Sequence, residues 1–147
     1  MPQQFYFPLQ QLLDLRKMQE EKAALKLARE KMRMEAKSKE LWQLQQDLET
    51  VEKRETDKKN TYAWELWLWL RYRERLLQDL DQVQIKLEEQ MQKVQECRED
   101  LASKSQELKK MERLKEKQAL EHKQRQDQKE QKELDEMAAL LYQKRDI

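Results

Sequence analysis

The sequence contains no glycine and only two prolines, Pro2 and Pro8, among its 147 residues. An average protein is about 7% glycine, and both residue types usually end helices or form turns. Beyond Pro8, therefore, almost nothing in the chain breaks a helix. Only 37% of the residues are hydrophobic whereas 41% are charged, which is too few apolar side chains for a thick globular core. This composition predicts an all-α protein made of very long helices.

Cysteine and histidine each occur once, at Cys97 and His122. A single cysteine excludes an internal disulfide, and the sequence has neither a glycine-rich phosphate loop nor a Cys/His cluster. With one cysteine and one histidine, 25 positions apart on a helical chain, no catalytic or metal constellation can be assembled. We therefore expect no enzymatic activity, no cofactor, no metal and no small-molecule ligand.

An excess of one charge is also missing, since 31 basic residues face 30 acidic ones. Proteins that bind nucleic acid usually carry a basic surplus on one face, so we expect no nucleic-acid partner. The densest apolar stretch, residues 62–72, is about half of the ~20 residues that a membrane-spanning helix needs. Residues 1–8 lack the features of a secretory signal. These absences predict a cytoplasmic protein with at most peripheral membrane contact.

What the sequence does contain is a heptad repeat. In the second half, apolar residues recur every seven positions at Leu80, Leu87, Val94, Leu101 and Leu108. Three residues after each of them lie Val83, Gln90, Cys97, Lys104 and Met111. The first half repeats the pattern at Leu27, Met34, Leu41 and Leu48, with Leu44 and Val51 three residues after the last two. It continues more weakly upstream with Leu13, Arg16, Glu20 and Ala24. Alternating steps of three and four keep one stripe of a helix facing a partner, as in a coiled coil.

The polar segment 57–61 is the only credible turn, and Asn60 or Thr61 can cap the helix that follows. We predict a single coiled-coil domain over residues 1–147: helix one at about 9–57, a turn at about 57–61 and helix two at about 61–144. The fold class is a long antiparallel two-helix coiled-coil hairpin with an overhanging C-terminal helix. Folding about residue 59 pairs residue i with roughly 118 − i and leaves everything beyond Met111 without a partner. The alternative is a continuous helix and a parallel dimer, which would act as a spacer or dimerisation protein.

A two-helix coiled coil does not explain two regions of the sequence. Residues 62–72 are apolar on all sides of the helix and contain three tryptophans, which favours a protein-docking surface. A self-contained tip and contact with a membrane interface are the alternatives. Beyond Met111 the stripe positions are polar, and a cluster of apolar residues returns from Leu134 onwards. At the N-terminus, Phe5 and Phe7 are expected to pack against the helices.

Three stretches resemble the flagellar export protein FliJ family. The first contains Phe5, Phe7, Leu9, Leu12, Leu13, Arg16, Glu20, Ala24 and Leu27. The second contains Trp69, Tyr72, Arg73, Leu76 and Leu80. The third comprises residues 111–117 and 130–138, with the string Glu-Gln-Lys-Glu-Leu-Asp-Glu. The stalk proteins of virulence type III secretion systems share this architecture and are the alternative family.

The resemblance implies a non-enzymatic central stalk of the flagellar type III export ATPase, which promotes assembly of the ATPase ring. Its implied partners are the export ATPase hexamer, the export gate membrane protein and export chaperones, at the inner face of the cell membrane. Tyr72 and Leu76 match the family at the gate-docking end, and predicted exposure adds Trp64, Trp67 and Trp69. The expected contacts with the ATPase ring are Arg113, Lys117, Arg125, Lys129, Lys132, Glu133 and Leu134.

Overall fold

The structure, a computed structural model, describes residues 3–56 and 62–145. Two helices, α1 (Gln10–Thr56) and α2 (Ala63–Arg145), make up almost all of this part of the chain, which contains no strand. The all-α prediction of two long helices packed against each other is confirmed. The predicted turn at 57–61, with its capping residues Asn60 and Thr61, lies outside the described residues.

Both helices begin with backbone hydrogen bonds to the residues just before them. The Gln10 N–H donates to the Phe7 carbonyl (3.1 Å), two residues after Pro8. In α2, the Glu65 and Leu66 N–H groups both donate to the Tyr62 carbonyl at 3.1 Å. Glu65 also places a carboxylate in the first turn of α2, where the positive end of the helix dipole favours it.

The chain divides into two compact units: the hairpin unit (Glu21–Ala102) and the terminal unit (Met1–Glu20 with Ser103–Ile147). In the hairpin unit, Glu52 contacts Arg73 at 3.8 Å, whereas the earlier Glu30 contacts the later Gln90. The two helices are therefore antiparallel within one chain. The predicted heptad positions of α2 here are all buried or half-buried, namely Leu80, Val83, Leu87, Gln90, Val94, Cys97 and Leu101.

The stripe on α1 follows a different path from the predicted one near its start. Ala23 is buried and Ala24 is exposed, so the expectation for Ala24 is wrong. Steps of seven lead from Ala23 to the buried Glu30 and on to Val51, which is also buried. The predicted stripe positions Leu44 and Val51 belong to this row, and counting back from them in sevens reaches Ala23, so the prediction missed the upstream end by one residue.

Glu30 and Gln90 form a polar contact inside the hairpin unit. The Gln90 amide nitrogen donates to the Glu30 backbone carbonyl at 3.0 Å and also to the Glu30 carboxylate. Arg33 approaches the same carboxylate at 3.1 Å. A buried polar pair is satisfied only when the two helices align in one register, as in other coiled coils.

We expect this contact to make stability depend on pH. The Gln90 hydrogen bond is the main reason that the pKa of Glu30 lies below its ordinary value of 4.5. A lowered pKa in the folded state adds stability above the ordinary value, and that stability is lost as pH falls through the folded pKa. In thermal melts, Gln90→Leu should therefore lower the Tm most at neutral pH and progressively less below pH 4.5.

The matched control is Gln95→Leu, because Gln95 is exposed on the same helix and donates a hydrogen bond to Glu99, one turn further along that helix. Its effect on the Tm should be small at every pH. A Gln90→Leu effect of the same size at acidic and neutral pH would show that the Glu30 carboxylate does not contribute.

The terminal unit has its own small core. Phe7, Leu13 and Leu108 are buried together, and Phe5, Met111 and Leu114 pack against them. The expectation that Phe5 and Phe7 pack against the helices is confirmed. These two aromatic rings lengthen the apolar contact of α2 beyond the first turn of α1.

The pairing in the terminal unit corrects the predicted overhang. The rule pairs Gln10 with Leu108, but Gln10 accepts a hydrogen bond from Lys115 (2.7 Å), which lies further along α2. Further along α2, His122 Nε2 lies 3.1 Å from the Gln3 carbonyl. The prediction that nothing beyond Met111 has a partner is therefore wrong. Residues 3–9 continue along α2 past the start of α1, and side chains become uniformly exposed only from Asp127 to Arg145.

Candidate protein-binding surfaces

The aromatic residues at the start of α2 lie in two rows along the helix. Residues three or four apart lie on the same side of a helix, and the first row consists of Glu65, Leu68, Trp69 and Tyr72. These four side chains line an open groove of about 510 Å³, which we call the aromatic groove. The Trp69 and Tyr72 rings meet edge to face with their centroids 6.2 Å apart.

Trp69 is held from both helices. The guanidinium carbon of Arg54, at the end of α1, lies 5.1 Å from the centroid of the Trp69 ring. Such a cation–π contact adds about 0.5–1 kcal/mol at a partly exposed site. Trp69 is half-buried, and its contacts with Arg54 and Tyr72 restrict the orientations that its ring can adopt.

The second row, which we call the outward row, consists of Trp64, Trp67, Arg71 and Arg75. Trp64 is 62% exposed and Trp67 is 58% exposed, and both arginines are exposed as well. The Arg71 guanidinium carbon lies 5.3 Å from the centroid of the Trp67 ring. At the N-terminal end of the row, Trp64 stacks on Tyr62 with centroids 6.5 Å apart.

The five residues predicted as one surface are thus distributed over three locations. Trp69 and Tyr72 line the aromatic groove, whereas Trp64 and Trp67 belong to the outward row. Leu76 is only 3% exposed, because it lies one turn beyond Tyr72 on the buried stripe. The sequence did not single out Glu65 and Leu68, although their spacing of three and four from Trp69 and Tyr72 carried that information.

In the terminal unit, the residues predicted to contact an ATPase ring are all exposed, namely Arg113, Lys117, Arg125, Lys129, Lys132, Glu133 and Leu134. Arg125 pairs with Glu121 at 3.7 Å, one turn earlier on α2. An exposed pair at this spacing stabilises the helix by only a few tenths of a kcal/mol. The polar stretch is therefore a solvated helix whose side chains are available to another molecule.

The last turns of α2 carry an apolar surface that nothing in the described chain covers, and we call it the C-terminal face. Leu134, Met137 and Leu141 share one side of the helix, and each is about 60% exposed or more. Ala138, Leu140 and Tyr142 extend this face, and all three are exposed. Exposed apolar surface of this size usually marks a site of interaction.

Neither helix, in the part of the chain that is described, contains a segment apolar enough over the required length to cross a membrane. A comparison with curated proteins gave no match, and a comparison with solved structures gave none either. The sequence does match the family described as the flagellar FliJ protein, over residues 5–146. This match covers nearly the whole chain, including the aromatic groove, the outward row and the C-terminal face. The chain therefore belongs to the FliJ family, whose members are non-catalytic components of the flagellar protein export apparatus.

Proposed function

We propose that this protein is the central stalk of the flagellar type III export ATPase complex and couples the ATPase to the export gate. It promotes assembly of the ATPase ring and has no catalytic activity of its own. The observation that carries the proposal is the end of α2, where every side chain from Asp127 to Arg145 is exposed. Family membership supports the assignment to this apparatus.

The terminal unit supplies the contact with the ATPase hexamer. Lys129, Lys132 and Glu133 offer charged side chains of both signs, and exposed pairs of this kind contribute little individually. Weak polar contacts allow a stalk to change position inside a ring. The C-terminal face supplies the apolar contact area that gives the interaction its affinity.

The hairpin unit supplies the contact with the export gate protein, through the aromatic groove. Aromatic side chains held in place on a rigid helix suit a binding site, because little conformational freedom is lost when a partner binds. Tyr72 is the exposed residue of the groove that also matches the family pattern, and Leu76 supports it from the buried stripe. Export chaperones are the third class of partner, and the protein works at the cytoplasmic face of the membrane.

The proposal is tested by mixing the full chain with its cognate export ATPase. ATP hydrolysis should increase, and electron microscopy should show more ATPase rings. A chain truncated after Gln126 keeps the core around Phe7, Leu13 and Leu108 but lacks the C-terminal face. It should remain folded and give neither effect. If the full chain changes neither hydrolysis nor ring number, the stalk function is refuted.

We expect the gate contact to depend on the aromatic groove. The double variant Trp69→Ala/Tyr72→Ala should bind the cytoplasmic part of the gate protein at least about tenfold more weakly, because truncated aromatic anchors typically cost more than 1 kcal/mol each. Titration calorimetry measures the affinity. The matched control is Trp64→Ala/Trp67→Ala, which removes aromatic surface outside the groove. Equal losses in both double variants would argue against the groove as the gate site.

A further inference from the structure

The outward row is not explained by the helix pair or by the aromatic groove. Its members follow one another at steps of three, four and four, so all four point away from the stripe that contains Leu76. The row places two exposed indoles beside two exposed guanidiniums. Within the described residues, neither Arg71 nor Arg75 makes an ion pair with a carboxylate. Glu65 lies on the groove side, and the exposed Glu74, three residues after Arg71, is a carboxylate at the edge of the row.

This combination of groups suits the surface of a lipid bilayer. Tryptophan has a large apolar ring with one polar N–H, and it concentrates where acyl chains meet headgroups. Arginine binds phosphate oxygens through two parallel hydrogen bonds. Contact between Arg71 and the Trp67 ring lets the cation stay close to the apolar ring while its edges face headgroup phosphates.

We propose that the outward row docks onto an anionic phospholipid surface, with α2 lying along the headgroups. Trp64 and Trp67 insert at the boundary of the acyl chains, and Arg71 and Arg75 bind lipid phosphates. The apolar insertion is shallow, as in other helices that lie in a bilayer interface. This inference deepens the proposed function, since it holds the hairpin unit at the membrane that contains the export gate.

The test is flotation of the full chain with vesicles of phosphatidylglycerol and with vesicles of phosphatidylcholine. The protein should float with the anionic vesicles and bind the neutral ones about 25-fold more weakly, because each arginine near an anionic surface contributes a factor of about five. Raising the salt concentration should reduce this preference. The variant Arg71→Gln/Arg75→Gln should lose the preference while keeping residual binding to both kinds of vesicle.

Trp64→Gln/Trp67→Gln should lower binding to anionic vesicles at least about tenfold, because interfacial binding scales with the apolar area buried. The matched control is Trp42→Gln, since Trp42 is 60% exposed on α1 but lies outside the row. Circular dichroism verifies that each variant is as helical as the wild type. The inference is overturned if the wild type does not float, if both vesicles bind equally, or if Trp42→Gln has the same effect. This assay contains neither the gate protein nor the export ATPase, so a negative result overturns the membrane inference alone. The groove variant tests the gate contact separately.

Discussion

Leu13→Ala should lower the free energy of unfolding by about 2–5 kcal/mol, which is the usual range for removing a buried leucine side chain. Leu13 is 1% exposed and packs with Phe7 and Leu108 in the core of the terminal unit. Alanine and leucine have similar helix propensities, so the loss reports packing rather than the helix itself. The long, thin contact between the helices has few neighbouring side chains that can move to fill the space.

Urea denaturation followed by circular dichroism measures this loss, and hydrogen exchange of the amides near Leu13 locates it. The control is Leu15→Ala, two residues away on the same helix, because Leu15 is 45% exposed. A substitution at such a surface position usually changes stability by at most about 0.5 kcal/mol. Equal losses for Leu13 and Leu15 would mean that α1 does not bury the face that contains Leu13.

The heptad stripe of α2 could be predicted because most of its positions are apolar and its few polar residues are isolated. Steps of seven from Leu80 to Leu108 identified the face correctly, and Gln90 lies on it as expected. On α1 the upstream end of the stripe was predicted one residue out of step, at Ala24 in place of Ala23, and the burial of the charged residue Glu30 was not predicted. Its burial depends on a partner, Gln90, that lies 60 residues away, and periodicity within one helix cannot reveal a partner on the other.

The extent of the helix pair could not be predicted for a related reason. The rule that pairs residue i with roughly 118 − i considers only contacts between the two helices. It therefore predicted that the contact ends at Met111. The N-terminal extension added Phe5 and Phe7 to that contact, and its carbonyl at Gln3 reaches His122. Extended segments have no helical periodicity, so the distance over which this one follows α2 could not be predicted.

The sequence identified most residues of the candidate surfaces, but not how these residues are arranged around the helix. Three tryptophans within six residues correctly marked the start of α2 as unusual. Dividing them between the aromatic groove and the outward row requires the helix orientation, which the burial of Leu76 and the Arg73–Glu52 contact define. Membership of the FliJ family, by contrast, followed from the sequence and is confirmed by the match over residues 5–146.

The largest functional effect is expected from Leu134→Gln, Met137→Gln and Leu141→Gln introduced together. Glutamine keeps the helix propensity of this segment, and all three side chains are exposed. The melting temperature should therefore stay close to that of the wild type. If the C-terminal face contacts the export ATPase, the concentration that gives half-maximal stimulation of ATP hydrolysis should rise at least about 100-fold. Burial of one such side chain contributes about 1.5–3 kcal/mol, so even partial burial of three accounts for this change.

The matched control for the C-terminal face is Leu120→Gln. Leu120 is 57% exposed on the same helix, but it lies before the segment that begins at Asp127, so its replacement should leave stimulation unchanged. A second comparison is Lys129→Gln, which removes one exposed charge. It should weaken stimulation only a few-fold, because an exposed ion pair contributes at most about 1 kcal/mol. If the triple variant stimulates the ATPase like the wild type, the C-terminal face is not the site of contact. Affinity would then have to come from the polar residues before it, and Lys129→Gln would show the larger loss.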